Sequence, residues 1–283
     1  QLMNGRGTFL TREFAAAKNL WRYRELVTSL VSRNLKVKYK RSVLGFVWTL
    51  VNPILTVTVL VTVFTYVVRV PLEDYWAFLL SGYFVWNFLI QTLTSGTNVL
   101  GEHAQLSRSV RFPPEAPILA AALSRMVEFT LEMVLVLVVL TIYHHGHVPP
   151  AFLLLPWLAV LQLALALGLT FPIAALSVFY HDVQHAVPLL LQTLFYISPV
   201  FYAVSLVPEA LRSFFVVNPI AWLLTLYHST VYYGVMPTTA ASLSFRLRGK
   251  PPKSSSSIAP RISRMRSARK LKLSTPSPSF MPR

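Results

Sequence analysis

The sequence predicts an all-α polytopic membrane protein with five to six transmembrane helices, an amphipathic interface helix at the N-terminal end, and re-entrant helices near the C-terminal end. Hydrophobic residues make up 54% of the 283 residues, and charged residues make up 13%, about half the usual share of a soluble domain. The mean hydropathy is +0.54. A soluble fold cannot bury this much apolar surface, so we expect the chain to lie in a membrane.

Five apolar stretches reach the length of about 20 residues that a helix needs to cross the hydrocarbon core of a bilayer. A helix is required there because every backbone amide must be paired within its own segment. The five stretches are residues 43–68, 75–100, 118–143, 151–179 and 187–207. A sixth stretch, residues 214–235, is interrupted by Asn218 and Pro219, so we expect it to be re-entrant or interfacial.

The net charge of +16 is concentrated at the two ends of the chain. Ten of the 26 Lys and Arg residues lie in residues 1–42, and eleven lie in residues 240–283, which contain no acidic residue. Basic segments beside apolar spans follow the positive-inside rule and place the N-terminus in the cytoplasm. They do not indicate a nucleic-acid-binding domain. The absence of cysteine excludes a disulfide scaffold, thiol catalysis and a thiolate metal site.

Three regions follow from this organisation. Residues 1–42 are a cytoplasmic amphipathic region, residues 43–237 are the transmembrane domain, and residues 238–283 are a basic, Ser- and Pro-rich tail that we expect to be disordered. Five spans would place this tail outside the cell, against the charge rule. We therefore expect either that the sixth stretch crosses the membrane or that a frameshift or truncation has replaced a final span.

Apolar residues between positions 13 and 40 recur at helical spacing, with the charges mostly on the opposite face. This apolar face contains Leu20, Tyr23, Val27, Leu30, Val31, Asn34 and Leu35. The pattern predicts a helix that lies in the cytoplasmic headgroup layer with its apolar face toward the lipid. The alternative is a soluble basic arm.

Three charged residues inside the third stretch, Arg125, Glu128 and Glu132, share one helical face. Charges inside a span are costly and usually functional. However, Arg125 and Glu128 can pair with each other near the cytoplasmic end of the span, so a structural or interface role is favoured.

Several motifs occur in a characteristic order. A basic, glycine-containing bend at residues 36–45 leads into a span that opens with Trp48 and then meets an Asn-Pro pair. A Ser-Pro pair ends the fifth stretch, and a second Asn-Pro pair follows a short amphipathic stretch. From about residue 24 to residue 237 the chain resembles the permease subunit of ABC type-2 exporters, in the branch that exports lipid-linked polysaccharides such as O-antigen, capsule and teichoic acid.

The resemblance implies a homodimer around a central conduit and a separate ATPase subunit. The ATPase would contact an N-terminal interface helix, which includes Trp21, Tyr23, Leu30, Lys36 and Lys38. It would also contact a short coupling helix between the second and third spans, which includes Glu102, His103, Gln105 and Arg108. Short re-entrant helices would close an outer gate at Ser198, Pro199, Asn218 and Pro219.

Aromatic residues are candidates for lining the conduit, because flat rings stack on sugar faces without selecting particular hydroxyls. The first and fifth spans line the conduit in the family, which favours Trp48, Phe195 and Tyr196. The alternative is that aromatic residues pack in the core or form an interfacial belt. The chain departs from the family at His181 and at His228, where the family often has Arg, so a permanent ion pair is not expected at either place.

The chain has no G-x-x-x-x-G-K-[ST] loop to cradle a nucleotide phosphate. It is therefore not expected to be an enzyme by itself or to bind a cofactor, and ATP and Mg²⁺ are expected on the ATPase partner. No metal site is expected in the His-rich loop at residues 144–147, which lacks a rigid frame. The other expected partners are a second copy of the chain, membrane lipid and the lipid-linked glycan.

These observations predict the permease of an ATP-driven exporter in the bacterial plasma (inner) membrane, which moves a lipid-linked glycan outward. One alternative is a type-2 permease for a drug or small lipid. A less favoured alternative is a membrane-embedded glycosyl- or acyltransferase, which would need converging His and carboxylate side chains on one face of the membrane.

Overall fold

The computed structural model describes residues 23–39, 47–107, 115–146, 148–204, 207–208, 215 and 218–236, without the side chains of residues 39, 49 and 100–107. Across these ranges the chain is helical and contains no strand, which confirms the all-α polytopic fold. The predicted interface residue Trp21, the coupling residue Arg108 and the tail at residues 238–283 lie outside the described residues.

The described part contains seven α-helices, which we number in chain order. They are α1 (Arg24–Tyr39), α2 (Val47–Thr62), α3 (Tyr75–Ser107), α4 (Glu115–Tyr143), α5 (Leu155–Phe179), α6 (Asp182–Ile197) and α7 (Pro219–Tyr227). A π-helical turn extends α2 (Val63–Val67), another extends α7 (His228–Tyr232), and a 3-10 turn (Pro150–Leu154) leads into α5.

Four helical segments of the described chain are long and apolar enough to cross a membrane. They are Leu50–Val67, Tyr75–Val99, Glu115–Tyr143 and Pro150–Phe179, and they coincide with the first four predicted spans. The predicted fifth span, residues 187–207, differs from the structure because α6 ends at Ile197 and a turn follows. With 16 residues, α6 is about 24 Å long, shorter than the hydrocarbon core of about 30 Å.

Helix α3 is the central element of the bundle. It packs against α2, α4, α5, α6 and α7. Of the 18 residues in its apolar membrane-spanning stretch, 67% are buried, compared with 11% of those in the corresponding stretch of α2. Its aromatic residues Phe78, Phe84 and Trp86 are each 1% exposed. These rings therefore fill the core between helices.

A close approach between α3 and α5 depends on Gly96. A Cβ atom at this position would lie only 2.1 Å from Cγ2 of Thr170 in α5. Because real side chains do not come this close, only glycine lets the two helices pack at this distance.

Helix α1 has the predicted amphipathic character, and its apolar face lies against α4. Val27 is 4% exposed and packs on Ala116 and Ala120 at the start of α4, with Leu30 at the edge of the same cluster. The small alanine side chains leave room for α1 to approach. Helix α4 therefore covers part of the apolar face that we expected to lie toward the lipid in the headgroup layer.

Candidate functional site

A cluster of charges joins the end of α1 to the interior of α4. Nζ of Lys38 lies 2.7 Å from Oε1 of Glu128, and Nη1 of Arg125 lies 3.0 Å from Oε2 of the same carboxylate. Glu128 thus accepts from two cations, one on α1 and one on its own helix three residues earlier. The predicted pairing of Arg125 with Glu128 is confirmed.

Arg125 extends this cluster to α3. Its Nη1 donates to Oε1 of Gln91 at 2.7 Å, and its Nη2 donates to Oγ of Ser95 at 3.2 Å. Gln91 and Ser95 are four residues apart and so lie on the same face of α3. We call the five residues Lys38, Gln91, Ser95, Arg125 and Glu128 the charge cluster, because they connect α1, α3 and α4.

The charged side chains of the charge cluster are buried to different degrees. The side chain of Glu128 is 5% exposed, whereas those of Arg125 and Lys38 are 25% and 38% exposed. Burying an ionised carboxylate is costly unless it is paired and hydrogen-bonded, as Glu128 is. Glu132, one turn further along α4, is 2% exposed, and no Lys or Arg described in the structure forms a salt bridge with it.

A polar cavity of about 540 Å³ lies beside the charge cluster, between α1, α3 and α4. Asn34 and Lys38 line it from α1, Ser95 and Asn98 line it from α3, and Arg125 lines it from α4. Both signs of charge and several amide and hydroxyl groups meet there. The cavity therefore places hydrogen-bonding and charged side chains at the junction of three helices.

The predicted coupling residues do not form a separate helix. Glu102, His103 and Gln105 lie on the last turns of α3, which continues without a break to Ser107. Over residues 100–107 the expected coupling segment is thus continuous with the second span, and its remaining residues, 108–113, lie outside the described part of the chain. A 33-residue helix is about 50 Å long, so it extends well beyond the hydrocarbon core.

The predicted outer-gate residues lie at the opposite end of the bundle. Ser198 and Pro199 are buried in the turn that follows α6. Asn218 is the N-cap of α7, and its Oδ1 accepts from the backbone N–H groups of Ile220 and Ala221. Pro219 occupies the first position of α7, where its missing N–H costs nothing.

His228, which stands where the family often has Arg, is buried between α3 and this turn. It is 3% exposed, and its ring stacks on Phe78 at a centroid distance of 4.1 Å. Sequence reasoning identified the position but missed its contacts, because the partners lie about 30 and 150 positions earlier in the chain. Gln91 and Ser95 were missed for the same reason.

The three predicted conduit aromatics differ in their surroundings. Trp48 is 51% exposed and Tyr196 is 62% exposed. Phe195 is half-buried, and its ring centroid lies 5.9 Å from that of Trp86 and 5.6 Å from that of Phe201. Phe195 therefore contributes to packing, whereas Trp48 and Tyr196 are largely exposed on the surface of the single chain. The Tyr196 ring also contacts Phe195 and Phe201, at centroid distances of 5.4 and 6.1 Å.

Among the residues that the structure describes, no group of three or more His, Asp and Glu side chains is placed to hold a metal ion. The described chain instead has polar contacts between helices, of which two groups lie far apart in the bundle. The charge cluster connects helices at one end, and buried neutral hydrogen bonds surround the turn after α6 at the other.

The sequence of the chain matches the family model described as ABC-2 type transporter over residues 25–232. This range begins at α1 and ends in the π-helical turn that contains His228. The charge cluster and the turn after α6 both lie within the matched part.

Curated relatives cover most of the same range. The chain is 33% identical to the O-antigen export system permease protein RfbA of Myxococcus xanthus, over 78% of this chain and 85% of that protein. It is 27% identical to the protein of the same name from Klebsiella pneumoniae, over 70% of this chain and 76% of that protein. It is 23% identical to the polysialic acid transport protein KpsM of Escherichia coli, over 74% of this chain and 81% of that protein.

Proposed function

Because the chain belongs to the ABC-2 type transporter family, we propose that it is the transmembrane permease subunit of an ATP-driven exporter for a lipid-linked polysaccharide. The observation that carries this proposal is the 33% identity to an O-antigen export permease over 78% of the chain. The similarity to a polysialic acid transport protein supports a long anionic or neutral glycan as cargo. The glycan would move from the cytoplasmic side outward.

The proposal assigns ATP hydrolysis to a separate ABC ATPase subunit. The sequence of this chain lacks a phosphate-binding loop, so ATP and Mg²⁺ would bind to the partner. The ATPase would contact α1 and the end of α3, where Glu102, His103 and Gln105 lie. Both elements are at the same end of the bundle as the charge cluster.

The charge cluster supports a role for α1 in passing movement from the ATPase to the transmembrane helices. Because Lys38 bonds Glu128 and Arg125 bonds Gln91, a displacement of α1 would be transmitted to α4 and α3 as a coupled movement. Helix α3 contacts five other helices of the described bundle. Movement at the ATPase end would therefore reach the turn after α6 through α3.

The membrane placement follows from the charges and from the exposed apolar surfaces. The family and the four candidate spans make the chain a multi-pass membrane protein. We place it in the bacterial plasma (inner) membrane with the N-terminus in the cytoplasm, since basic residues flank the first span. Helix α2 leaves most of its apolar surface uncovered, which suits contact with lipid and with a second copy of the chain around a shared conduit.

The conduit would be lined in part by Trp48 and Tyr196. Their rings are largely exposed and can stack on sugars, and stacking tolerates the sliding of a polymer because it does not depend on particular hydroxyl groups. Ser198, Pro199, Asn218 and Pro219 would belong to the outer gate of this conduit.

The proposal is tested by deleting the gene in its native bacterium and following the surface polysaccharide. We expect the lipid-linked glycan to accumulate inside the cell, where a glycan-specific lectin reaches it only after permeabilisation. The gene supplied in trans should restore surface glycan, provided that the neighbouring ATPase is active. A normal amount of surface glycan in the deletion strain, together with a lost export of a drug or small lipid, would contradict the glycan assignment.

A direct test of the partnership is affinity purification of the full chain from membranes. An ABC ATPase should be recovered with it, and the complex should hydrolyse ATP while the isolated chain does not. If the isolated chain transferred a sugar or acyl group without an ATPase, the chain would be a membrane transferase and the proposal would be wrong.

A further inference from the structure

The turn that follows α6 is a non-helical segment held inside the bundle. We call residues 198–204 the outer turn. Val200 is fully buried and Ala203 is 2% exposed, and Ala203 packs in a cluster with Tyr75 and Phe78 of α3. Backbone carbonyls in a buried turn have no helical partner, so other groups must satisfy them.

Two side chains from different elements supply these partners. The hydroxyl of Tyr75, at the start of α3, donates to the carbonyl oxygen of Phe201 at 2.7 Å. Nε2 of His228, in the turn that extends α7, lies 3.1 Å from the carbonyl oxygen of Pro199. The outer turn is thus held from two sides by bonds to carbonyls two residues apart.

The partners of His228 determine which ring nitrogen carries the proton. A carbonyl oxygen can only accept, so Nε2 must be the donor to Pro199. In the neutral ring Nδ1 is then an acceptor, and it lies 2.7 Å from Oγ of Ser81. The Ser81 hydroxyl also lies 2.7 Å from the carbonyl oxygen of Phe78, so its one proton is shared between these two acceptors. Stacking on Phe78 at an interplanar angle of 5° fixes the plane of the ring. The contacts of its two nitrogens and the stacking on one face therefore fix the orientation of the imidazole ring.

Gly82 provides the space for this arrangement. A Cβ atom at this position would lie 2.7 Å from Cε1 of His228 and 3.0 Å from the carbonyl oxygen of Val200. The histidine ring and the outer turn both approach the backbone of α3 where there is no side chain. Residues of α3, of the outer turn and of the extension of α7 thus form this packing contact together.

We propose that Tyr75 and His228 are positioning residues that clasp the outer turn against α3, and that the turn leaves α3 only when both hydrogen bonds break. Because Ser198 and Pro199 belong to the proposed outer gate, release of this clasp would be the opening of that gate, and this last step rests on the proposed function. The clasp itself is neutral. The charge cluster at the other end of the bundle, in contrast, is held by ion pairs.

The absence of cysteine from the chain allows a direct measurement. Ala203→Cys places a buried thiol in the outer turn, and Ala166→Cys places one in α5, where the residue is fully buried. The rate of maleimide labelling is measured on the purified full-length chain in detergent micelles, where both ends of the protein are accessible. This assay depends neither on export nor on orientation in a membrane.

The variants remove single contacts while keeping volume. Tyr75→Phe deletes one hydroxyl, and His228→Phe keeps a ring against Phe78 without a donor. We expect each to raise the labelling of Cys at position 203 about tenfold, since a buried carbonyl loses its partner, and the double variant to raise it further. His228→Gln keeps an N–H donor and should restore labelling toward the parent rate. Tyr143→Phe removes a hydroxyl that bonds Asp74 and should have no effect.

Labelling at position 166 should stay slow in every variant. Unchanged labelling at position 203 in the double Tyr75 and His228 variant would overturn the clasp, and so would an equal increase at positions 203 and 166, which would show general loosening. A failure of the glycan-export experiment would leave these labelling results untouched, so the two proposals can fail separately.

Discussion

Lys38 of the N-terminal helix and Glu128 in the interior of α4 form an ion pair of 2.7 Å across 90 positions of sequence. The second oxygen of the same carboxylate is bound by Arg125, which in turn bonds Gln91 of α3. A helix that precedes the first span is therefore fastened to the second and third spans through one buried acid. This connection provides a route by which a partner bound at α1 could move the bundle.

Removing the carboxylate should be more costly than removing the lysine. We expect Glu128→Ala to lower the free energy of unfolding by about 3–5 kcal/mol, because it leaves Arg125 partly buried without its counter-charge. Lys38→Met should cost about 1 kcal/mol or less, because the lysine is 38% exposed and already partly solvated. Thermal unfolding in detergent at two salt concentrations measures both effects.

The double variant Lys38→Met, Glu128→Ala completes the thermodynamic cycle with the two single variants. If the two side chains interact as the distance indicates, their effects will be less than additive. Equal costs for the two single variants, or strict additivity, would show that Glu128 does not depend on its pairing with α1.

Gly96 should not tolerate a methyl group. We expect Gly96→Ala to destabilise the protein by about 1–3 kcal/mol, because the new Cβ would overlap Cγ2 of Thr170. Adding Thr170→Ser to the Gly96→Ala variant removes that methyl group and keeps the hydroxyl that donates to the carbonyl oxygen of Ala166. This double variant should therefore recover much of the lost stability. Gly168→Ala is the matched control, since nothing lies within 4 Å of its Cβ, and it should be neutral or stabilising by up to about 1 kcal/mol. Thermal unfolding of the four proteins is compared.

Asn218 should act as a helix cap. Its Oδ1 satisfies two N–H groups at the start of α7, so Asn218→Ala should cost about 1 kcal/mol, and Asn218→Asp should retain most of the stability. Amide hydrogen exchange of residues 220–227 is the suitable measurement, because the effect should be strongest in the first turn. Faster exchange in the aspartate variant than in the alanine variant would contradict the capping role.

The aromatic residues should separate into two groups. Trp48→Ala and Tyr196→Ala remove largely exposed rings, so we expect both to reduce glycan export in cells. The melting temperature should change little for Trp48→Ala and fall slightly for Tyr196→Ala, because the Tyr196 ring also contacts Phe195 and Phe201. Phe195→Ala should lower stability by about 2 kcal/mol or more, because its ring contacts Trp86 and Phe201. Melting temperature and surface glycan are measured on the same variants. Normal export with both exposed rings removed would exclude them from the conduit.

Much of the fold could be predicted from sequence, because transmembrane helices are recognised by composition and length alone. The first four spans lie where apolar residues run without interruption, and the structure has helices there. The pairing of Arg125 with Glu128 was also predictable, since two residues three apart on a helix are neighbours. Each of these inferences uses only residues that are close in the chain.

The ends of helices were less predictable. Up to Ser107, where the description of this segment stops, α3 continues without a break between the second span and the first half of the expected coupling helix, because residues 100–107 contain no strong helix-breaking residue after Gly101. The expected fifth span stops at Ile197, before the Ser-Pro pair that turns the chain inward. In this case the proline signal was visible in the sequence but was assigned to the end of a longer helix.

The distribution of apolar residues and of charge by itself determined that this chain is a helical membrane protein with a basic N-terminal region, because the cost of exposing polar backbone to lipid allows few other solutions. The tertiary structure decided which polar residues meet. Lys38 meets Glu128 across 90 positions because α1 packs against α4. Tyr75 and His228 meet the outer turn because α3 packs against that turn and against the extension of α7.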